Sequence, residues 1–274
     1  MTVNESLEIV ILADNYVDKP MLVAEHGFSC LIEYNGLNIL FDAGQGFSLR
    51  NNFKKLCNDK KIDFAVLSHG HYDHSDGFKD FDVSSLDIYA HKKVFAEHLR
   101  KGEDDFEFIG VDKTVLNSKK YNFILNENFC EIKKDIFLSG AIDRVNEFDV
   151  DKNLYLKTEN GISKDNFPDE QYLVIKTSKG LVIFTGCSHS GIENIILDIK
   201  RKTKDTPIYA VIGGFHLFRS SDNEIMKVAD FLLELEVKII ITGHCTGING
   251  FLILKNILKD KVLFSKVGLK LKII

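Results

Sequence analysis

The sequence has no long apolar run. Stretches such as IYAVIGGF and VKIIIT are strand-length, and nothing approaches the ~20 residues of a membrane span. A membrane protein is therefore not expected. The first residues, MTVNESLEIV, lack a basic region followed by an apolar stretch and a small-residue cleavage site, so no signal peptide is expected. Cysteine is sparse: five residues, at 30, 57, 130, 187 and 245, an odd number with no CxxC pair. That argues against a disulfide framework and for a reducing, cytoplasmic setting. Charge of one sign is also lacking. The net charge is −5, and no block of five like charges occurs. The densest basic run, KRKTK from Lys200 to Lys204, suits the negative end of a helix. Without a basic patch, nucleic acid is not an expected partner. Low-complexity tracts are absent as well.

What is present is a regular alternation. The 274 residues are 45% hydrophobic, enough to bury a substantial core. LEIVIL, CLIEY and LNILF read as strands, with Asn35–Gly36 between the last two as a two-residue hairpin turn. A helix is expected from Phe47 to Cys57, with Phe47, Leu49, Phe53 and Leu56 as its apolar positions. IDFAVLS is a nearly continuous apolar strand, and a short helix follows around Val94–Leu99. From Arg100 to Pro168 the texture changes to charged, Asn-rich segments, read as short strands and loops that cap a pocket. Alternation resumes at Gln171. YLVIKT and GLVIFTG form a hairpin, and PIYAVIGGF and VKIIITG are further strands among three helices. Of these, NEIMKVADFLLELE has Ile225, Met226, Val228, Ala229, Leu232 and Leu233 as its apolar positions. Strands with few polar positions are covered on both faces, and the sum is a layered α/β protein. Two strands end in small residues and a histidine, Leu67-Ser68-His69 and Thr242-Gly243-His244, a hint of internal duplication.

Six of the nine histidines sit in short loops after apolar strands. His69, His71 and His74 follow FAVLS, His189 follows LVIFTGC, His216 follows AVIGGF and His244 follows KIIITG. Strand ends converge on one edge of a layered sheet, so such loops can meet. Histidine nitrogen is the commonest neutral ligand for zinc-like ions, and carboxylate oxygen its usual partner. In SHGHYDHSDG, H-x-H lets two imidazoles reach one cation, and Asp73-His74 can reach a second. Paired ions can share a bridging hydroxide, a strong nucleophile at neutral pH. The alternative is a polar loop capping a helix, with Ser75 or Asp76 as the cap.

SHGHYDHSDG resembles the H-x-H-x-D-H motif of the metallo-β-lactamase superfamily, and LFDAGQG resembles the turn before that family's first helix. Together with EHGFSCLIE, PDEQYLVI, FTGCSHSGI, GGFHL and GHCTG, in this order, these motifs are similar to one subgroup. It includes the archaeal dihydropterin–ribofuranosylaminobenzene phosphate synthase and bacterial proteins known only as metal-dependent hydrolases. The resemblance covers most of the chain, with 100–168 matched poorly. It implies a single domain over 1–274 with an insertion or cap at about 100–168. The implied fold is an αββα four-layer sandwich with a dinuclear site at one edge. By position, His69, His71 and His189 would bind the first metal, and Asp73, His74 and His244 the second. Asp73 would also position the hydroxide. Many members of the superfamily have an aspartate bridging both metals where this chain has Cys187. The histidine that usually precedes that strand is missing, and PDEQ lies there instead. Cys187, Asp169 and Glu170 are therefore candidates to join or support the metals.

His216 is read as a pocket residue contacting an anionic or carbonyl group of the substrate, against a structural histidine on a turn. Asp42 is read as holding a ligand histidine by its second nitrogen, against a simple turn-former. His26 is read as facing the pocket or the surface with equal warrant. His91 and His98 are read as surface residues, and Cys30, Cys57 and Cys130 as small apolar fillers. The expected function is hydrolysis of a small organic substrate by metal-bound hydroxide. The ions are two divalent metals, zinc first, with iron or manganese also suited to the donors. Two alternatives stand beside it: a synthase condensing a pterin with a ribose-phosphate compound, and an iron protein with a non-hydrolytic redox or binding role. The sequence does not specify an oligomeric state.

Overall fold

Asn35 and Gly36 both take left-handed backbone angles, φ 48° and 87°, and close the two-residue turn that such a pair favours. The turn sets the register of the flanking strands, Ser29–Tyr34 and Leu37–Phe41, with Tyr34 opposite Leu37 and Ile32 opposite Ile39. The computed structural model describes residues 5–57, 60–146, 151 and 153–274. These fall into two units. The first comprises Met1–Glu127, Asp151–Glu170 and Lys266–Ile274, and the second Asn128–Val150 and Gln171–Ser265.

The first unit carries a seven-stranded sheet in the order Lys270–Lys272, Leu7–Ala13, Ser29–Tyr34, Leu37–Phe41, Phe64–Val66, Leu86–His91, Tyr121–Asn126. Pairing is antiparallel up to Leu37–Phe41 and parallel from there. The helix Phe47–Leu56 buries Leu49 and Phe53 in a cluster with Val10, Leu12, Leu31 and Leu40. One expectation for this helix needs correction. Phe47 is 64% exposed, and the polar Asn52 is buried instead. Its amide donates to the Leu12 and Val23 carbonyls and accepts from Val23 N–H. Its hydrogen bonds offset the burial of a polar side chain.

The second unit repeats the pattern. Its seven-stranded sheet runs Val262–Phe264, Ile239–Thr242, Ile208–Ile212, Gly180–Phe184, Leu173–Thr177, Ile136–Leu138, Cys130–Lys133. The first three pairings are parallel and the last three antiparallel. Ile192, Ile195, Ile196 and Ile199 of the helix Ile192–Lys202 join Val174, Ile183 and Val211 in one apolar cluster. Ile225, Val228, Ala229 and Leu232 of the helix Asp222–Glu234 bury in the same cluster, whereas Met226 and Leu233 lie on its exposed face.

The segment Val94–Leu99 is not a helix. Glu97–Lys101 is a strand, paired with Leu154–Thr158 and Phe106–Phe108 in a four-stranded antiparallel sheet completed by Gly161–Lys164. Pairing with residues over fifty positions away overrides the local pattern, as it commonly does for strands. That pairing also buries His98, while His91 is buried at the end of its own strand. The reading of these two as surface residues is therefore corrected. Among the described residues, no helix is long and apolar enough to cross a membrane. No disulfide joins any of the five cysteines.

Candidate metal centre

In each unit the parallel strands end side by side, and the chemistry-bearing loops leave from those ends. In the first unit, Leu37–Phe41 runs into Asp42, and Phe64–Val66 runs into Ser68, His69 and His71. Asp42 has φ 55°, a left-handed conformation that aspartate tolerates better than most residues. Its carboxylate is buried and fully engaged. Oδ1 accepts the Ser68 backbone N–H at 2.7 Å, while Oδ2 accepts Ser68 Oγ–H and His74 Nδ1–H, each at 2.7 Å.

Those bonds decide two tautomers. His74 gives its Nδ1 proton to Asp42, so in the neutral ring Nε2 holds the lone pair. Ser68 spends its hydroxyl proton on Asp42, so its oxygen accepts from His69 Nδ1 at 2.9 Å, and His69 likewise presents Nε2. One carboxylate thereby prepares two imidazoles for metal binding, directly and through one hydroxyl. His69 Nε2 lies 3.2 Å from His71 Nδ1. Two ligands of one tetrahedral ion with bonds of ~2.0–2.1 Å stand about 3.3 Å apart, so the pair has the spacing of a chelate. Burial pulls His71 well below the usual histidine value, and the neighbouring His69 and His98 add to this. It is therefore neutral, the form that binds metal. Burial alone would lower His74, but Asp42 and Asp73 outweigh it and raise the group.

Asp73 and His74 sit on the single turn Tyr72–Ser75. Asp73 Oδ2 is 3.9 Å from His74 Nε2 and 3.1 Å from Nε2 of the half-exposed His26. His26 therefore faces Asp73 while about half of its side chain stays exposed. Gly70, between the two histidines, is sterically required. A Cβ there would stand 2.1 Å from the Val94 carbonyl oxygen and 3.2 Å from Asp169 Oδ2. Gly70→Ala must displace the H-x-H backbone. We expect this variant to lose bound metal while a surface change such as Gly36→Ala, whose Cβ meets nothing within 4 Å, keeps it; elemental analysis reads the difference.

Asp169 and Glu170 are both buried in this unit. Asp169 Oδ2 accepts the Gly70 N–H at 2.7 Å and lies 3.2 Å from His98 Nε2. His98 Nδ1 in turn donates to Asp165 Oδ2 at 2.6 Å. From the sequence, His98 is read as a surface residue and Asp165 is not singled out. They are 67 residues apart, and no local pattern marks their meeting.

In the second unit, Gly180–Phe184 leads to Cys187 and His189, Ile208–Ile212 to His216, and Ile239–Thr242 to His244 and Cys245. Cys187 Sγ is 3.3 Å from His244 Nε2. The His189 and His216 rings stand 4.5 Å apart, centroid to centroid. Cys187, His216 and Cys245 bring donor atoms within 4.8 Å of one another. His189, His216 and His244 are all buried. The backbone here is strained, with Ser188, His216 and His244 at φ 59°, 50° and 44°. Such outliers cluster where a site over-determines the chain. Gly213 allows the approach, since a Cβ there would lie 1.9 Å from the Thr185 carbonyl oxygen. The GGFH glycines thus serve close packing of two strand ends, not a phosphate loop.

Imidazoles, a thiol and carboxylates are donor types that fit zinc, iron or manganese. Comparison with known proteins agrees. A family profile described as a beta-lactamase superfamily domain matches residues 37–119. An uncharacterized protein of Methanocaldococcus jannaschii is 37% identical over 245 residues, covering 87% of this chain and 90% of that protein. The 7,8-dihydropterin-6-methyl-4-(beta-D-ribofuranosyl)-aminobenzene-5'-phosphate synthase of the same organism is 35% identical over 264 residues, covering 89% and 88%. The crystal structure of Tm1679, a metal-dependent hydrolase of the beta-lactamase superfamily, superposes with a TM-score of 0.85 at 34% identity, covering 97% of this chain and 98% of that one. With relatives this similar over nearly their whole lengths, and the superfamily's H-x-H-x-D-H motif present, this chain belongs to the metallo-β-lactamase superfamily and has its α/β sandwich fold.

Proposed function

We propose that the protein is a metal-dependent hydrolase acting on a small organic substrate. The observation that carries this reading is the His69–His71 pair at chelate spacing, beside a His74 whose tautomer Asp42 fixes. The similarity to Tm1679 supports it. The ligand assignment is His69, His71 and His189 for one divalent ion, and Asp73, His74 and His244 for another, with zinc the first choice. Cys187, at 3.3 Å from His244, adds a sulfur donor where an aspartate is commoner. Bound ions would supply Lewis-acid polarisation of a carbonyl or phosphoryl oxygen and a nucleophilic water at neutral pH. The chain's own groups do the rest. Asp42 fixes the tautomers of His69 and His74 that present Nε2. Asp73, backed by His26, orients the attacking water. His216 contacts the substrate's polar group. We place the protein in the cytoplasm, a reading supported by five cysteines with no disulfide among them.

A second reading has its own support. The synthase relative matches over 89% of this chain. A groove of about 660 Å³ in the first unit is also lined by Lys92, Lys93, Lys157 and Lys164, cations that suit a phosphorylated substrate. Assays of the zinc-loaded protein separate the two. Hydrolysis of esters, lactones or phosphodiesters that stops on chelation supports the hydrolase. Condensation of a dihydropterin with a ribose-phosphate compound, with no hydrolysis of the panel, supports the synthase. Native iron with a visible absorption band and no turnover would exclude both.

A further inference from the structure

Behind the H-x-H loop, a chain of buried groups joins three distant parts of the first unit. His98 lies on the strand Glu97–Lys101, Asp165 and Asp169 on the segment that follows Gly161–Lys164, and Gly70 between the two motif histidines. All three side chains are shielded, with no exposed side-chain surface. Asp165 spends Oδ1 on the Phe167 N–H at 2.6 Å and Oδ2 on His98 Nδ1. His98 Nε2 reaches Asp169 Oδ2, which holds the Gly70 N–H. The His98 ring also packs edge-on against His71 at 4.9 Å, and Phe167 packs on His71 at 5.9 Å. His71 is thus walled in by the same residues that anchor the backbone beside it.

His71, His98 and Asp165 have donor atoms close enough to suggest a metal site of their own. The distances argue otherwise. His98 Nδ1 and Asp165 Oδ2 are 2.6 Å apart, the length of a charge-assisted hydrogen bond. Two ligands on one zinc would stand about 3.3 Å apart. The spacing is that of a hydrogen bond, not of two ligands on one ion. Burial alone would lower His98, but Asp169 and Asp165 outweigh it and carry the group up to about 10. For Asp169, burial pushes upward and His98 pulls the net value below the usual carboxylate range.

We infer that His98 is a positioning residue, a strut between Asp165 and Asp169 that fixes Asp169 on Gly70 and so sets the geometry of the His69–His71 chelate. The inference rests on the metal-binding reading above. Partners that orient ligands without touching the ion typically matter ~10–100-fold in metal affinity, and this strut acts at one further remove, through backbone.

The test compares the parent with His98→Ala, His98→Gln, Asp169→Asn and, as a control at an exposed position on the same sheet, Ile162→Thr. Zinc affinity is measured by chelator competition, and the cobalt(II)-substituted proteins are compared by visible absorption. We expect about a tenfold or greater loss of affinity in His98→Ala and Asp169→Asn, with altered cobalt bands. His98→Gln, which can still donate to one carboxylate, should recover part of the affinity. Ile162→Thr should match the parent. If His98→Ala fails to fold, Asp169→Asn and His98→Gln carry the comparison. Parent-like zinc affinity and cobalt bands in every folded strut variant would overturn the inference while leaving the metal reading intact. A parent that binds neither zinc nor cobalt would overturn both.

Discussion

Asp42→Ala should be among the most damaging single substitutions in this protein. The change removes one buried carboxylate and strands three donors: the Ser68 N–H, the Ser68 hydroxyl and His74 Nδ1–H. Breaking a buried pair by removing one partner typically costs about 3–5 kcal/mol, and each buried donor left without an acceptor costs about 1–3 kcal/mol. These costs overlap, so we expect a loss of about 4 kcal/mol in metal-free stability by urea unfolding. The left-handed φ at this position adds strain for alanine. Metal binding should weaken with stability, because His69 and His74 lose the bonds that select their tautomers. Asp42→Asn separates the two effects. Its amide can still accept from the Ser68 N–H but cannot serve both remaining donors. A variant as stable as the parent, with unchanged metal affinity, would remove Asp42 from the account.

His71→Ala should act on the chemistry rather than the fold. It removes one arm of the chelate while His69, Asp42 and Ser68 keep their own bonds. We expect metal content to fall by one equivalent and hydrolysis to drop at least ~100-fold, the minimum for losing a direct ligand when indirect ones matter ~10–100-fold. Far-ultraviolet circular dichroism should be unchanged. Full metal content in this variant would show that the H-x-H pair does not bind the ion.

Legibility in the sequence tracked locality. The hairpin at Asn35–Gly36 is a two-residue signal and folds as one. The H-x-H-x-D-H cluster is contiguous, and its strand carries it to a sheet edge. His189, His216 and His244 each follow an apolar strand, and parallel pairing brings those ends together within the second unit. Asp42 and Ser68 are 26 residues apart, yet both mark strand ends, so their meeting follows from the parallel pairing of Leu37–Phe41 with Phe64–Val66. The strut was illegible for the opposite reason. His98 lies in a segment whose spacing reads as helix, and its partner Asp165 comes from a charged, Asn-rich region with no motif to mark it. Its role depends on a third sheet that forms only when Glu97–Lys101 meets Leu154–Thr158. Asn52 shows the same limit on a smaller scale: a polar residue on the buried face of a helix, justified only by carbonyls from two other segments.

The central claim is that the two histidine-bearing loop sets bind metal for catalysis. Elemental analysis of the protein purified without chelators, then after chelation and zinc reloading, tests it most directly when paired with a hydrolysis assay at each stage. The account predicts two equivalents of divalent metal, loss of hydrolysis with loss of metal, and recovery of both on reloading. Protein that stays metal-free after reloading, or hydrolysis that persists after complete metal removal, would contradict it.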